Sequence, residues 1–158
     1  MKERFYSLDV FRGSTVALMI LVNNPGSWSH IFPPLEHASW HGVTPTDLVF
    51  PFFLFAVGNA MAFVMPRIEA AGEGHFWAKV IKRSLLIFLI GLFLNWFPFI
   101  KYDDAGKIVA KPFETLRIFG VLQRIAVSYF FASVLVHFFK VRGSFVAGAF
   151  LLLFYWFL

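Results

Sequence analysis

The 158-residue chain contains no cysteine. Disulfides, thiolate metal sites and a cysteine nucleophile are excluded, although the compartment is left open. Charge is also scarce, at 15% of residues against about 25% in ordinary soluble domains. The long apolar runs lack the period-two alternation of half-buried strands. There is no internal repeat and no low-complexity tract. No small-x-small pattern follows the first apolar run near Gly26 and Ser27, so that run is expected to be retained rather than cleaved as a signal peptide. The net charge of +5 and a pI near 9.8 do not indicate nucleic acid, because the cations flank apolar segments as topology signals do.

What is present is apolar surface. Hydrophobic residues make up 59% of the chain and aromatics 20%, with 23 phenylalanines, and the mean hydropathy is +0.71. A soluble fold of this length cannot hide so much, so the lipid bilayer is the expected solvent. Charge-poor windows predict an all-α, polytopic transmembrane bundle. About five spans are expected, near residues 8–24, 47–65, 82–100, 116–139 and 143–158. The last window stops at Phe150–Leu158 with no polar flank, so residues 1–158 are expected to form the N-terminal part of one larger domain, inactive alone. Lys2, Arg4, Arg12, Arg67, Lys79, Lys82, Arg83, Lys140 and Arg142 share one set of loops, which places the N-terminus in the cytoplasm. Arg67–Lys79 then reads as a cytoplasmic turn, and Tyr102–Glu114 as a polar outer loop with a turn at Asp103–Gly106.

Between the first two windows lies a polar knot, Asn23-Asn24-Pro25-Gly26 followed by Glu36-His37-Ala38-Ser39-Trp40-His41-Gly42 and Thr44-Pro45-Thr46-Asp47. Lipid penalises unsatisfied polar groups by several kcal/mol each, so such a cluster at a membrane edge points to use. His37 suits general-base work, since imidazole titrates near neutrality. His37 and His41 are spaced i, i+4, but Glu36 precedes rather than follows His37 and no third ligand is evident, so no metal is expected. Asn23 is read either as a helix cap or as an amide that orients the imidazole or meets an oxyanion. Asp47 is read as a first-turn anion at a helix N-terminus, or as the carboxylate that sets a histidine tautomer. Trp40 fits an interface anchor. Gln123 and Arg124 lie within an apolar window, where a polar side chain faces a partner or a cavity, and Asp47 is one candidate partner for Arg124. Gly91 and Asn95, like Gly58 and Asn59, read as close-packing and interhelical positions. Pro51 is expected to kink its helix.

Taken in order, Ser7-Leu-Asp-Val-Phe-Arg-Gly13, Leu21-Val-Asn-Asn24, His37-Ala-Ser-Trp-His-Gly42, Asp47-Leu-Val-Phe-Pro-Phe-Phe-Leu-Phe55 and Arg117-Ile-Phe-Gly-Val-Leu-Gln-Arg124 resemble the heparan-alpha-glucosaminide N-acetyltransferase family and its bacterial relatives. The resemblance implies a multispan acyltransferase of the inner membrane. It would move an acetyl group from cytosolic acetyl-CoA to an amine or hydroxyl of a sugar or glycan on the outer side. It makes His37 and Asn23 the catalytic pair, with His37 as general base or acyl carrier. Asp47, Trp40, Gln123 and Arg124 become supporting or substrate-binding residues, and Arg12 and Arg117 contacts of the acyl-CoA. Acetyl-CoA is the donor; the partners are the bilayer, the donor, the acceptor and a possible second copy. The competing readings are half of a transporter, served equally by Arg124 and the Asn-Pro break, and a structural membrane subunit without catalysis.

Overall fold

A computed structural model of the chain describes residues 5–102, 107–111 and 117–158. The order of elements is α1 (Tyr6–Asn23), a 3-10 turn (Pro33–Leu35), α2 (Pro45–Glu69), α3 (Glu73–Trp96), β1 (Ile100–Tyr102), β2 (Ile108–Ala110) and α4 (Val121–Phe157). The chain divides into two compact units, Met1–Phe63 and Val64–Leu158.

In the first unit, Phe11 on α1 meets Phe52 and Phe55 on α2 edge-on, at 5.4 and 5.7 Å between ring centroids, and Phe5 stacks on Phe63 at 4.2 Å. Edge-to-face pairs match the quadrupoles of the rings. Thr15, Val22, Ala56 and Met61 are buried. α1 ends on its own amides: Asn23 Nδ2 donates to the Met19 carbonyl and Asn24 Nδ2 to that of Ile20, both at 2.8 Å. The last carbonyls of a helix have no intrahelical partner, and Pro25 discourages continuation. α2 runs as helix through Pro51. That proline cannot donate to the Asp47 carbonyl four residues back.

The second unit is built on α3 and α4, which pack antiparallel. Phe76 and Val80 of α3 are fully buried, as are Gln123 and Ser133 of α4. β1 and β2 form a small antiparallel hairpin in which Ile100 faces Ala110 and Tyr102 faces Ile108. A polar tie joins this hairpin to the end of α3. Lys111 Nζ donates to the Asn95 carbonyl at 2.7 Å, Trp96 Nε1 to the Lys111 carbonyl at 3.3 Å, and Asn95 Nδ2 to the Arg117 carbonyl at 3.0 Å.

The helical class is as expected; the five-span count is not supported. Among the described residues, two helices, α2 and α4, have the length and composition to cross a membrane. After Arg12, α1 offers only about 16 Å of charge-free helix, and after Arg83 α3 offers about 20 Å, against a hydrocarbon core of about 30 Å. The fourth and fifth windows are one helical element, interrupted at Lys140 (φ 54°, ψ −164°). Most of Arg67–Lys79 is helix rather than turn. The reversal is confined to Ala70–Gly72, where Gly72 adopts φ 101°, a conformation that costs glycine little. Arg117 precedes α4 instead of lying within it. The start of the expected outer loop is the β-hairpin, while Asp103–Gly106, Glu114, Leu116, Lys2 and Arg4 lie outside the described residues.

Several polar side chains on the helices turn back on their own backbone. Thr15, Asn59, Ser133 and Ser144 each donate to the carbonyl four residues earlier, at 2.6–2.9 Å. This satisfies a hydroxyl or amide without solvent or a neighbouring helix.

Candidate active site

The site begins with the start of α2. Thr44 precedes Pro45, and proline is favoured as the first helical residue because its missing N–H has no intrahelical acceptor there. Asp47, three residues after Thr44, turns back to accept from the Thr44 backbone N–H and the Thr44 hydroxyl, each at 3.0 Å. This is the carboxylate half of a capping box, and it places a negative charge against the positive end of the helix dipole. Thr46 donates to the Leu35 carbonyl at 2.7 Å and ties the 3-10 turn to the helix start.

The same carboxylate holds the histidine. His37 Nδ1 lies 2.6 Å from Asp47 Oδ1, and the Ala38 backbone N–H donates to Oδ2 at 3.3 Å. Asp47 therefore collects four donors from His37, Ala38 and Thr44. With Nδ1 carrying the proton shared with Asp47, Nε2 is left as the basic nitrogen. The His37 side chain is 74% exposed, whereas that of Asp47 is 30% exposed. Gly42, at φ 102°, lets the chain reverse between His41 and Thr44.

Asn23 is exposed; its Nδ2 serves the Met19 carbonyl, and among the described residues no hydrogen bond joins it to His37. Trp40 is 86% exposed. His41 shares no helical face with His37, because residues 36–44 are not helical. Arg12 is exposed on α1, as is Arg117 before α4. Arg124 is exposed, and among the described residues it forms no ion pair. Among the described residues no group of three or more His, Asp or Glu side chains is arranged to hold a metal.

Gln123 is the unusual residue of the second unit. Its side chain is fully buried, and neither amide atom has a hydrogen-bond partner. Two glycines make room for it. A Cβ at Gly91 would lie 2.8 Å from Gln123 Cδ and Oε1, and one at Gly120 would lie 2.6 Å from Gln123 Oε1 and Asn95 Nδ2. The close-packing role expected for Gly91 is met, whereas a Cβ at Gly58 would meet nothing within 4 Å.

A third cluster carries no motif. Glu69, at the end of α2, accepts from His137 Nδ1 and Lys140 Nζ, each at 3.1 Å. His137 also stacks on Phe76 at 4.2 Å. A separation of 68 residues leaves no local trace of this contact in the sequence.

The family model described as heparan-alpha-glucosaminide N-acetyltransferase, catalytic, matches residues 4–158. The chain is 36% identical over 134 residues to the heparan-alpha-glucosaminide N-acetyltransferase of Homo sapiens, covering 84% of this chain and 19% of that protein. It is 34% identical over 139 residues to the Mus musculus protein of the same name, covering 87% of this chain and 20% of the relative. The chain belongs to this family, and it spans about a fifth of the length of the curated relatives it matches.

Proposed function

We propose that this chain carries the base-bearing part of a transmembrane acyltransferase. The enzyme moves an acetyl group from cytosolic acetyl-CoA to an amine or hydroxyl of a sugar on the opposite face of a bacterial inner membrane, with its N-terminus in the cytoplasm. Family membership supports the reaction type. Two membrane-length helices and the back-bonded polar side chains support the lipid setting. The observation that carries the chemistry is the 2.6 Å contact between His37 and Asp47.

The donor substrate supplies an activated thioester carbonyl. His37 Nε2 accepts the proton of the acceptor amine as its nitrogen attacks that carbonyl carbon. The C–N bond forms, the C–S bond breaks, and the departing thiolate recovers the proton from the imidazolium. Asp47 keeps Nδ1 protonated and stabilises the imidazolium by charge. Asn23 has one amide N–H left after bonding Met19, and this N–H serves the developing oxyanion. Arg12 and Arg117 are the cations assigned to the anionic end of the donor. Trp40, Gln123 and Arg124 are assigned as supporting or substrate-binding residues.

The test is transfer of labelled acetyl from acetyl-CoA to glucosamine by the full-length protein in proteoliposomes. His37→Ala is expected to lower the rate by about 10²–10⁴-fold, the usual worth of a general base. Retention of the full rate removes His37 from the chemistry.

A further inference from the structure

The unit that carries His37 is one-sided in charge. From Gly13 to Phe63, where that unit ends, the sequence has neither lysine nor arginine. Its carboxylates over that stretch are Glu36 and Asp47, and its other ionisable side chains are His30, His37 and His41. Arg12, the last cation before the stretch, lies about 16 Å back along α1 from Asn23. That exceeds the ~8 Å over which physiological salt screens a charge.

The two carboxylates differ in what holds them. Asp47 accepts from His37, Ala38 and Thr44 and faces the positive end of the α2 dipole. Its charge is used within the site. Glu36 adjoins His37 in the chain and is exposed. Its backbone N–H donates to the Pro33 carbonyl at 3.2 Å. Among the described residues no hydrogen bond or ion pair engages its carboxylate. The base is thus flanked by one carboxylate already committed and one still free. A free anion beside a reacting base suits a substrate that arrives with positive charge. Aliphatic amines are cations at neutral pH, so the acceptor amine is itself the complementary group. A sugar bearing sulfate or carboxylate meets like charge, which disfavours it.

We propose that Glu36 selects the acceptor: it holds an amino sugar by its ammonium group and disfavours sugars that carry an anionic substituent. The proposal rests on the acyltransferase reading above and names its substrate class. The bound ammonium releases one proton to water, and the neutral amine then attacks the thioester as already described. Glu36 stays ionised throughout and forms no covalent bond.

The experiment measures acetyl transfer by the full-length protein in proteoliposomes to three acceptors: glucosamine, its 6-O-methyl ether and its 6-sulfate. The ether adds bulk without charge. Glucosamine and the ether should show similar kcat/KM, and the sulfate should fall roughly tenfold below them, with the gap narrowing as salt is raised. Glu36→Gln should raise the KM for glucosamine roughly fivefold at nearly constant kcat, and Glu36→Lys should reverse the order of glucosamine and the sulfate. The ranking of acceptors and its salt dependence are read in the unaltered protein, so they stand even where a variant does not fold. An ether as poor as the sulfate, equal kcat/KM for all three, or a KM untouched by Glu36→Gln overturns the acceptor assignment and leaves the acyltransferase intact. Transfer to none of the three overturns the acyltransferase and the assignment with it.

Discussion

Asp47 and Gln123 are both polar side chains at the start of a helix, each three residues after the residue that precedes it. Their surroundings are opposite. Asp47 sits at the edge of its unit and accepts from His37, Ala38 and twice from Thr44. Gln123 is sealed between α3 and α4 with no partner for either amide atom. The first arrangement positions an imidazole with a carboxylate already required by the helix start, so one side chain both begins α2 and orients His37. The second tolerates an unmet amide, and two glycines are given up to house it. A helix start can therefore preorganise a reactive group at its rim, or confine a polar group whose partner must come from elsewhere.

The comparison breaks most visibly at Asp47. Asp47→Asn preserves shape but weakens the demand for an Nδ1 proton, so part of the imidazole adopts the wrong tautomer. The acetyl-transfer rate should fall on the order of 10–100-fold, less than for His37→Ala, by analogy with the outer partners of functional histidines. Measured kcat should drop with little change in donor KM. A variant with unchanged kcat would make Asp47 a helix cap and nothing more.

Next comes the space around Gln123. Gly91→Ala sets a Cβ 2.8 Å from the amide and 2.9 Å from Leu122 Cβ, in an interface with no slack. Overpacking of this kind costs about 1–3 kcal/mol, read as a lower midpoint of thermal unfolding in detergent. Gly58→Ala, whose Cβ meets nothing within 4 Å, is the matched control and should leave the midpoint in place. Equal effects at the two glycines would mean that helix propensity rather than contact decides.

Gln123→Met then removes the amide and keeps an unbranched side chain of similar length. A buried donor or acceptor left unmet costs about 1–3 kcal/mol, so this variant should be as stable as the parent or more so. If Gln123 also supports the reaction, transfer should fall while stability rises. Loss of stability would show that the amide is satisfied in the folded protein after all.

The sequence made the helices legible because lipid-like windows between charged residues are a coarse, additive signal. α1 and α2 fall within a few residues of their windows, and Lys140–Arg142 marks the interruption of α4. It misplaced the start of α3, because Lys79, Lys82 and Arg83 read as loop whereas Phe76 and Val80 bury fully and carry the helix back to Glu73. At the site, the polar knot was visible as a cluster and Asp47 as a first-turn anion. The choice of Asp47 rather than Asn23 as the group that holds the imidazole depends on how residues 36–44 turn, and irregular backbone has no period to read. Charge identifies candidates, but pairing needs coordinates.

The smallest expected effect lies at Glu69, where the pairing skipped 68 residues. Glu69→Gln keeps a hydrogen-bond acceptor for His137 and removes the charge facing Lys140. Both partners reach the carboxylate at 3.1 Å, but Lys140 is 65% exposed, so water and salt screen much of that attraction. Exposed ion pairs contribute about 0.2–1 kcal/mol, and a chain of this size should lose roughly 2–4 °C of unfolding midpoint for each kcal/mol. The shift should shrink further when the parent and variant are compared at high salt, since screening weakens the pair in the parent alone. A salt-independent loss would place the contribution of Glu69 in its packing beside the stacked Phe76 and His137 rings, and would bring this cluster closer in kind to the sealed polar group at Gln123 than to the open one at Asp47.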